Sequence, residues 1–366
     1  MNTSREKRTN GGCRRGFTLI ELLIGSTIML IVIVAALSVY SKSNQISVDQ
    51  QQYAEIQNDV RSSLFLVMRD LRMAGAGVPE GFRMYSFEGV DNEDQGVEVQ
   101  PDRLTIMGNL DWPLNLKIAN YQGAAASLMI DDYSFEQYPY SDDFYAGKTV
   151  LILPSETSSC RFGEVRNVTH VTHSAGGTTE KFNFSSGLAP DINPPLNLKG
   201  TCPSSNDYDD GTILLVDVKV YWLDLTGTQP GLTAGVKGYL GQAGVFYMTN
   251  NGVHYPLAQN IENFQLQYNG DLDDDGVLDG FQNWSTAWSL EEVGRIRQIR
   301  AQLLGRTANR FLSVSGKPGA AIHVYRRPAL ANSPAATTDD LHRRFLLEST
   351  SNVRNHSLNL YNQGER

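Results

Sequence analysis

The segment from Arg14 to Tyr40 constrains this 366-residue chain more than any other part of it. Two arginines and a Gly16-Phe17 junction lead directly into an apolar run, which only Glu21 and a few small or hydroxyl residues interrupt. A secretory signal peptide places its small-residue cleavage site after its apolar core. Here the small residue precedes the core, so a cut after Gly16 would leave the apolar segment on the mature protein.

The apolar run is long enough to cross a membrane. At about 1.5 Å rise per residue, residues 17–40 span the roughly 30 Å hydrocarbon core of a bilayer. The basic residues of the leader all precede the run, which by the positive-inside rule places the N-terminus in the cytoplasm: Arg5, Lys7, Arg8, Arg14 and Arg15. A carboxylate inside a bilayer costs a few kcal/mol, so Glu21 is a functional candidate; a glutamate that snorkels to the interface is the alternative.

The helical pattern continues beyond the apolar run. Apolar residues recur at steps of mostly three, four or seven, which predicts an amphipathic helix: Ile46, Tyr53, Ile56, Val60, Leu64, Val67, Met68 and Leu71. Gly75, Gly77 and Pro79 predict its end. The predicted organisation is a leader (1–16), a membrane part of the helix (17–40), an amphipathic part (41–78) and a head (79–366). A coiled-coil stalk would need sustained heptads, and the chain has a partial set.

The head has the pattern of a β-rich domain. Short β-branched and apolar runs between turn residues predict strands at 103–107, 149–153, 212–223, 261–268, 295–304 and 321–325. The predicted fold class is therefore α+β, with the long N-terminal helix packed on an antiparallel sheet that carries inserted strands and loops.

Charge and cysteine content narrow the function classes. Removal of the basic leader would take the formal charge from −9 to about −13, and an acidic head argues against binding to nucleic acid. Cys13 lies in the leader, whereas Cys160 and Cys202 remain in the head. An even pair in an extracytoplasmic domain favours a disulfide, with two buried thiols as the alternative.

The aspartate loop, DLDDDGVLD at residues 271–279, has the spacing of a calcium-binding loop. Gly276 allows the sharp turn, and Leu278 would anchor the loop in the core. The predicted ligands are, in order, Asp271, Asp273, Asp275, the Val277 carbonyl, Asp279 and Gln282. Calcium loops have a bidentate glutamate at the twelfth position, where this chain has Gln282. Glu291 or Glu292 would have to supply the missing carboxylate. Structural Ca²⁺ and a solvated acidic turn remain the two interpretations.

Catalytic signatures of the common hydrolases, nucleotide-binding proteins and metalloproteases do not occur in the sequence. His170 and His173 lie in an alternating segment that directs their rings to opposite faces, which argues against a zinc site formed by the two. A membrane-anchored periplasmic enzyme would need an unrecognised site. The sequence therefore favours a protein that is not an enzyme.

The junction GFTLIE resembles the cleavage and methylation motif of type IV prepilins and type II secretion pseudopilins. This resemblance implies that a prepilin peptidase cuts after Gly16, that Phe17 is N-methylated, and that Glu21 pairs with the N-terminal amine of a neighbouring subunit. Three further segments are similar to PilW-type minor pilins: VMRDLRMAG at 67–75, PLAQNIENFQLQYNGDLDDDGVLD at 256–279 and RRFLLESTSNVRN at 343–355. The shorter GspJ-type pseudopilins share the helix and part of the strand pattern.

The resemblance implies a PilW-like minor pilin that takes part in a priming or tip complex of type IV pilus assembly. Such a protein sits in the bacterial inner membrane with its N-terminus cytoplasmic and its head periplasmic, and then moves to the pilus on the cell surface. Its partners would be the prepilin peptidase, other minor and major pilins, and the assembly platform. A GspJ-like pseudopilin and a pilus-tip adhesin are the alternatives. An adhesin would need aromatic residues clustered on its outer face: Trp112, Tyr121, Tyr133, Tyr138, Tyr140 and Tyr145.

Overall fold

The structure is a computed structural model, and it describes most of the helix and the larger part of the head. The described residues are 18–79, 87–91, 101–109, 115–122, 127–131, 142–160, 163–173, 180–184, 205–225, 244–250, 252–308 and 324–353. The chain divides into two compact units, residues 1–51 and residues 52–366.

One helix, α1 (Leu19–Met73), accounts for the described part of the first unit and continues into the second. Its apolar side chains up to residue 51 are exposed, including Ile46 at 48%. A helix surface this apolar requires lipid or other helices around it, because water solvates such a surface poorly. The predicted membrane part of α1 is thus a helix with no apolar partner within the described chain.

The second unit buries the predicted amphipathic stripe from Ile56 onwards, whereas Ile46 is exposed and Tyr53 is half-buried. Ile56, Val60, Leu64, Val67, Met68 and Leu71 are all less than 5% exposed. The helix ends at Met73, before the predicted boundary at residue 78, because Gly75 and Gly77 have φ values of 73° and 80°. Such left-handed conformations are accessible to glycine at little cost. The Gly75 amide then donates to the Met107 carbonyl at 2.9 Å, which ties the chain to the sheet after the helix ends.

Within the described residues, seven strands form an antiparallel sheet in the order β1-β2-β9-β10-β11-β12-β15. Leu266 of β11 pairs with Ala301 of β12, and Ala301 pairs with Ser349 of β15. The bounds are β1 (Phe87–Val90), β2 (Arg103–Gly108), β9 (Asp217–Asp224), β10 (Gly244–Asn250), β11 (Val253–Gly270), β12 (Ile296–Arg306) and β15 (Arg344–Asn352). A short pair, β13 (Tyr325–Arg326) and β14 (Asp339–Asp340), precedes β15.

Six strands of the described chain close into a separate barrel that is inserted between β2 and β9. Their order is β3-β4-β7-β6-β5-β8. The bounds are β3 (Asn115–Gln122), β4 (Ser127–Ile130), β5 (Thr149–Leu153), β6 (Glu164–His173), β7 (Glu180–Phe184) and β8 (Thr212–Leu215), with a short helix α2 (Asp142–Tyr145) before β5. The barrel has its own core, centred on Leu128, Phe182 and Ile213.

Barrel and sheet share one interface because strands β5 and β8 are buried on both faces. Val150 and Ile152 belong to the barrel core, whereas Leu151 and Leu153 belong to the core of the sheet. Alternate residues of a strand point to opposite faces, so the four apolar residues at 150–153 contribute to both cores at once. This explains why residues 150–153 form an unbroken apolar run.

The α+β prediction is confirmed, with corrections at particular strands. Residues 212–223 form two strands rather than one, since β8 belongs to the barrel and β9 to the sheet. The strand predicted at 261–268 begins earlier, at Val253. Of the strand predicted at 321–325, residues 321–323 lie outside the described residues.

Substitution of Gly305 by alanine should destabilise the contact between α1 and β12. A Cβ atom at this position would lie 2.6 Å from Ile56 Cγ2 and 2.9 Å from Val60 Cγ2. Overpacking of this kind costs about 1–3 kcal/mol. Urea unfolding of the purified chain, followed by tryptophan fluorescence, measures the loss.

Ile56→Leu provides the matching control, because leucine lacks the branch methyl Cγ2 that the new Cβ would meet. The double variant with Gly305→Ala should lose less stability than the two single losses added together. Strict additivity would show that the close approach at Gly305 does not limit helix packing.

Candidate functional site at the helix start and the aspartate loop

The first turn of α1 holds Glu21 through hydrogen bonds to Thr18. The Glu21 Oε2 atom accepts from the Thr18 amide at 3.0 Å and from the Thr18 hydroxyl at 2.9 Å. In return, the Glu21 amide donates to Thr18 Oγ1 at 3.3 Å. These reciprocal bonds form a capping box, which satisfies amides that the first helical turn leaves free. Sequence reasoning missed this role, although the Thr-x-x-Glu spacing was visible.

The remainder of the helix up to residue 51 presents side chains suited to a lipid or helical environment. Leu19, Ile31 and Val39 are 80%, 66% and 67% exposed. Hydroxyl side chains in this segment bond to carbonyls of the preceding turn, as Ser26 does to the Leu23 carbonyl at 2.9 Å. By length and composition α1 can cross a membrane. Glu21 therefore stands near one end of a candidate membrane helix.

The aspartate loop brings its first three predicted ligands together. One carboxylate oxygen from each of Asp271, Asp273 and Asp275 lies within 4.8 Å of the others. The loop is wound around these oxygens, because the Asp275 amide donates to Asp271 Oδ1 at 2.9 Å and the Gly276 amide to Asp271 Oδ2 at 3.0 Å. Gly276 has a φ of 85°, as the predicted sharp turn requires.

The later predicted ligands of the loop are fixed by other contacts. The Asp279 carboxylate accepts from the Leu272 amide at 2.8 Å, and the Val277 amide donates to Asp275 Oδ1 at 2.7 Å. Gln282 forms a β-bridge with Tyr268 through backbone bonds of 2.7 and 2.8 Å. The Gln282 backbone is therefore held by the sheet.

One expectation about the surroundings of the loop is wrong, and a second is narrowed. Leu278 is 47% exposed, and Leu272 instead packs against the core. Glu292 caps helix α3 (Leu290–Gly294) in a capping box with Ser289, whose hydrogen bonds lower the pKa of that carboxyl. Glu292 thus caps the start of α3, and of the two glutamates considered for the twelfth ligand position Glu291 stays a prediction.

Residues 12–37 match the prokaryotic N-terminal methylation motif. This match contains Gly16, Phe17 and Glu21, so the methylation motif and the capping box occupy the same stretch of chain. Gly16 and Phe17 themselves lie outside the described residues. The methylation motif and the apolar helix that begins within it support membrane anchoring and a pilin role.

A protein of similar sequence supports the same assignment as the methylation motif. The pilin-like protein PilA3 of Thermus thermophilus is 26% identical over 147 residues, which cover 40% of this chain. The match spans 58% of that relative's own length. No solved structure matches the chain. Together, motif and relative support a type IV pilin-like, structural protein.

The other residues singled out in the sequence are placed as follows. Cys160 is 7% exposed and is disulfide-bonded, whereas Cys202 lies outside the described residues, so the pairing of the two stays a prediction. Tyr121 and Tyr145 are buried in the barrel and cannot contribute to an outer aromatic surface. Trp112, Tyr133, Tyr138 and Tyr140 lie outside the described residues.

Proposed function

We propose that this chain is a PilW-like minor pilin that acts in a priming or tip complex of a type IV pilus. The observation that carries the proposal is the coincidence of the methylation motif with an exposed apolar helical segment whose first turn contains Glu21. A helix of this kind can assemble side by side with others once a leader is removed. The proposed role is packing of subunits and requires no catalysis.

The proposed assembly step depends on Glu21. After cleavage between Gly16 and Phe17 by the prepilin peptidase, the new amine of Phe17, N-methylated, carries a positive charge. The Glu21 carboxylate of one subunit then pairs with the Phe17 amine of a neighbouring minor or major pilin. Each group alone is costly in a bilayer, and the pair is less costly, so the contact fixes the register between helices at the assembly platform.

The processing step gives the decisive test of this function. The mass of the N-terminal peptide should correspond to a chain that starts at methylated Phe17 in cells with the prepilin peptidase, and to the uncut leader in cells without it. Retention of the leader in both strains would reject the pilin assignment and leave an ordinary membrane-anchored protein with a periplasmic head.

The size of the head favours a minor pilin over a GspJ-like pseudopilin. The inserted barrel adds a second core to the sheet that packs on α1. A domain of this size on a subunit is compatible with a position at the pilus tip. Co-purification with other minor pilins, rather than with a secretion apparatus, is the expected result.

We further propose that the aspartate loop holds a structural Ca²⁺ ion. The converging oxygens of Asp271, Asp273 and Asp275 and the turn at Gly276 fit a calcium loop. The Val277 carbonyl, Asp279 and Gln282 would complete the ligand set. Such an ion would neutralise acids that repel one another, and so would stabilise the loop next to the cluster of Tyr268, Trp284 and Trp288.

Addition of Ca²⁺ to the purified chain should therefore raise its unfolding midpoint relative to chelated protein. At a hundredfold excess over the dissociation constant the gain is about 2.7 kcal/mol. Asp273→Asn should remove most of this gain. Asp274→Asn is the control in the same loop, because Asp274 pairs with Arg295 at 2.9 Å and lies outside the three-carboxylate cluster. An unchanged midpoint, or equal losses in both variants, would contradict the proposal.

A further inference from the structure

Three side chains from separate parts of the chain meet on the barrel. Asp142 begins α2, His173 ends β6 and Glu180 begins β7. The His173 Nε2 atom lies 3.0 Å from Asp142 Oδ2, and Nδ1 lies 2.8 Å from Glu180 Oε1. One donor atom of each residue lies within 4.8 Å of the other two.

The barrel holds these residues in place. His173 and Glu180 are directly paired in the β6–β7 register. Tyr145, at the end of α2, is fully buried, and its ring lies 5.1 Å from the ring of Phe182 in β7. The Gly147 amide also donates to the Val168 carbonyl of β6 at 2.7 Å. Strand pairing and core packing therefore hold the backbones of the three residues close together.

One atom of the cluster is poorly satisfied by the protein alone. Glu180 Oε2 is buried and accepts no well-directed hydrogen bond, although it lies 2.8 Å from the imidazole. A buried carboxylate oxygen without such a bond is costly, and a bound cation removes that cost. The two carboxylates also carry two negative charges, which match one divalent ion.

We propose that Asp142, His173 and Glu180 bind a divalent transition-metal ion of the Zn²⁺ type. One imidazole nitrogen with two carboxylate oxygens is a donor set that zinc accepts, and water would fill the remaining position. Bond lengths of about 2.0–2.2 Å place the donors of a tetrahedral ion roughly 3.3 Å apart. The donor atoms of this cluster lie within 4.8 Å of one another, and the two carboxylates contact different nitrogens of the ring, so an ion would draw the three side chains together by rotation about their own bonds. Because α2, β6 and β7 each supply one ligand, the ion would cross-link the barrel.

The site is independent of the proposed pilin function and of the aspartate loop. The sequence argues against a zinc site formed by His170 and His173, because strand alternation directs their rings to opposite faces. It does not identify Asp142 and Glu180 as partners of His173, since both lie elsewhere along the chain. His170 has a different environment, with its Nδ1 atom 3.1 Å from the Thr169 hydroxyl. This residue supplies a matched control on the same strand.

The test uses the full chain in detergent, stripped of metal, with Asp273→Asn as background so that the aspartate loop binds weakly. Titration with ZnCl₂ measures affinity, and CoCl₂ gives a visible absorption band that reports nitrogen and oxygen ligands. His173→Ala should weaken Zn²⁺ binding at least about tenfold and abolish the cobalt band. His170→Ala should leave both unchanged.

Two carboxylate variants separate metal binding from simple hydrogen bonding. Asp142→Asn and Glu180→Gln keep acceptors for the imidazole but remove charge, so each should weaken Zn²⁺ binding while the metal-free unfolding midpoint stays near that of the parent. Zn²⁺ affinity that is the same in His173→Ala and in the parent, or that falls equally in His170→Ala, would overturn the proposal.

Discussion

Replacement of Asp70 by alanine is expected to lower the free energy of unfolding of the head by about 3–5 kcal/mol, the usual cost of breaking a buried ion pair from one side. Asp70 lies on α1 and is 1% exposed. Its Oδ2 atom accepts from the Tyr221 hydroxyl at 2.7 Å and lies 3.1 Å from Lys219 Nζ. Both partners come from β9, so one carboxylate joins the helix to the sheet.

The size of this effect follows from what the substitution leaves behind. The Lys219 side chain is 7% exposed, and without the carboxylate its ammonium group would lose a charged partner inside the protein. Burial, together with the Asp70 charge, raises the pKa of Tyr221, so its hydroxyl remains protonated and needs an acceptor. Alanine can neither pair with the Lys219 ammonium group nor accept the hydrogen bond from the Tyr221 hydroxyl.

Arg69→Ala is the matched control for Asp70→Ala. Arg69 also contacts Asp70, at 2.8 Å, but its side chain is 48% exposed. Water screens the half-exposed Arg69 guanidinium although Asp70 is buried, so this pair should contribute only about 1 kcal/mol and the control should lose little stability. Asp70→Asn keeps an acceptor for Tyr221, so its loss in the free energy of unfolding should lie between those of Asp70→Ala and Arg69→Ala. Equal losses in Asp70→Ala and Arg69→Ala, measured by urea unfolding, would show that the buried network does not stabilise the head.

The helix and the sheet could be predicted because their burial patterns are regular. Val60, Leu64 and Leu71 repeat at helical spacing, and the packing of α1 follows from that repeat alone. The barrel could not be predicted, because a run buried on both faces, such as 149–153, has no alternation that assigns it to a layer. Closure of the barrel also depends on pairing between strands that lie far apart in the sequence, such as β3 with β8, and no local sequence pattern specifies such pairing.

The candidate sites were predictable to the extent that their residues are close in sequence. Asp271, Asp273 and Asp275 lie within one loop, and their convergence follows from the spacing of the motif. Asp142 and Glu180 lie on either side of His173 in the chain and meet only because the barrel closes. Glu21 is an intermediate case, since the motif marked the residue but not its hydrogen bonds to Thr18.

Substitutions at Glu21 and Thr18 should separate helix capping from pairing between subunits. Glu21→Gln keeps an oxygen that can accept from the Thr18 amide, but it removes the charge that would pair with a neighbour's N-terminus. We therefore expect Glu21→Gln and Glu21→Ala both to reduce incorporation into pili at least about tenfold, because a neutral side chain cannot neutralise an amine in the bilayer. Quantitative detection of the chain in sheared pili, against its level in membranes, measures incorporation.

Thr18→Ala is the complementary variant, since it removes the hydroxyl of the capping box and leaves the Glu21 charge in place. Loss of a cap costs about 1 kcal/mol of helix stability. A membrane would hold the helix in place despite this loss of stability, so incorporation of the Thr18→Ala chain into pili should stay near the parent level. If Thr18→Ala abolished incorporation while Glu21→Gln preserved it, the role of Glu21 would be to start the helix, and another contact would have to set the register between subunits.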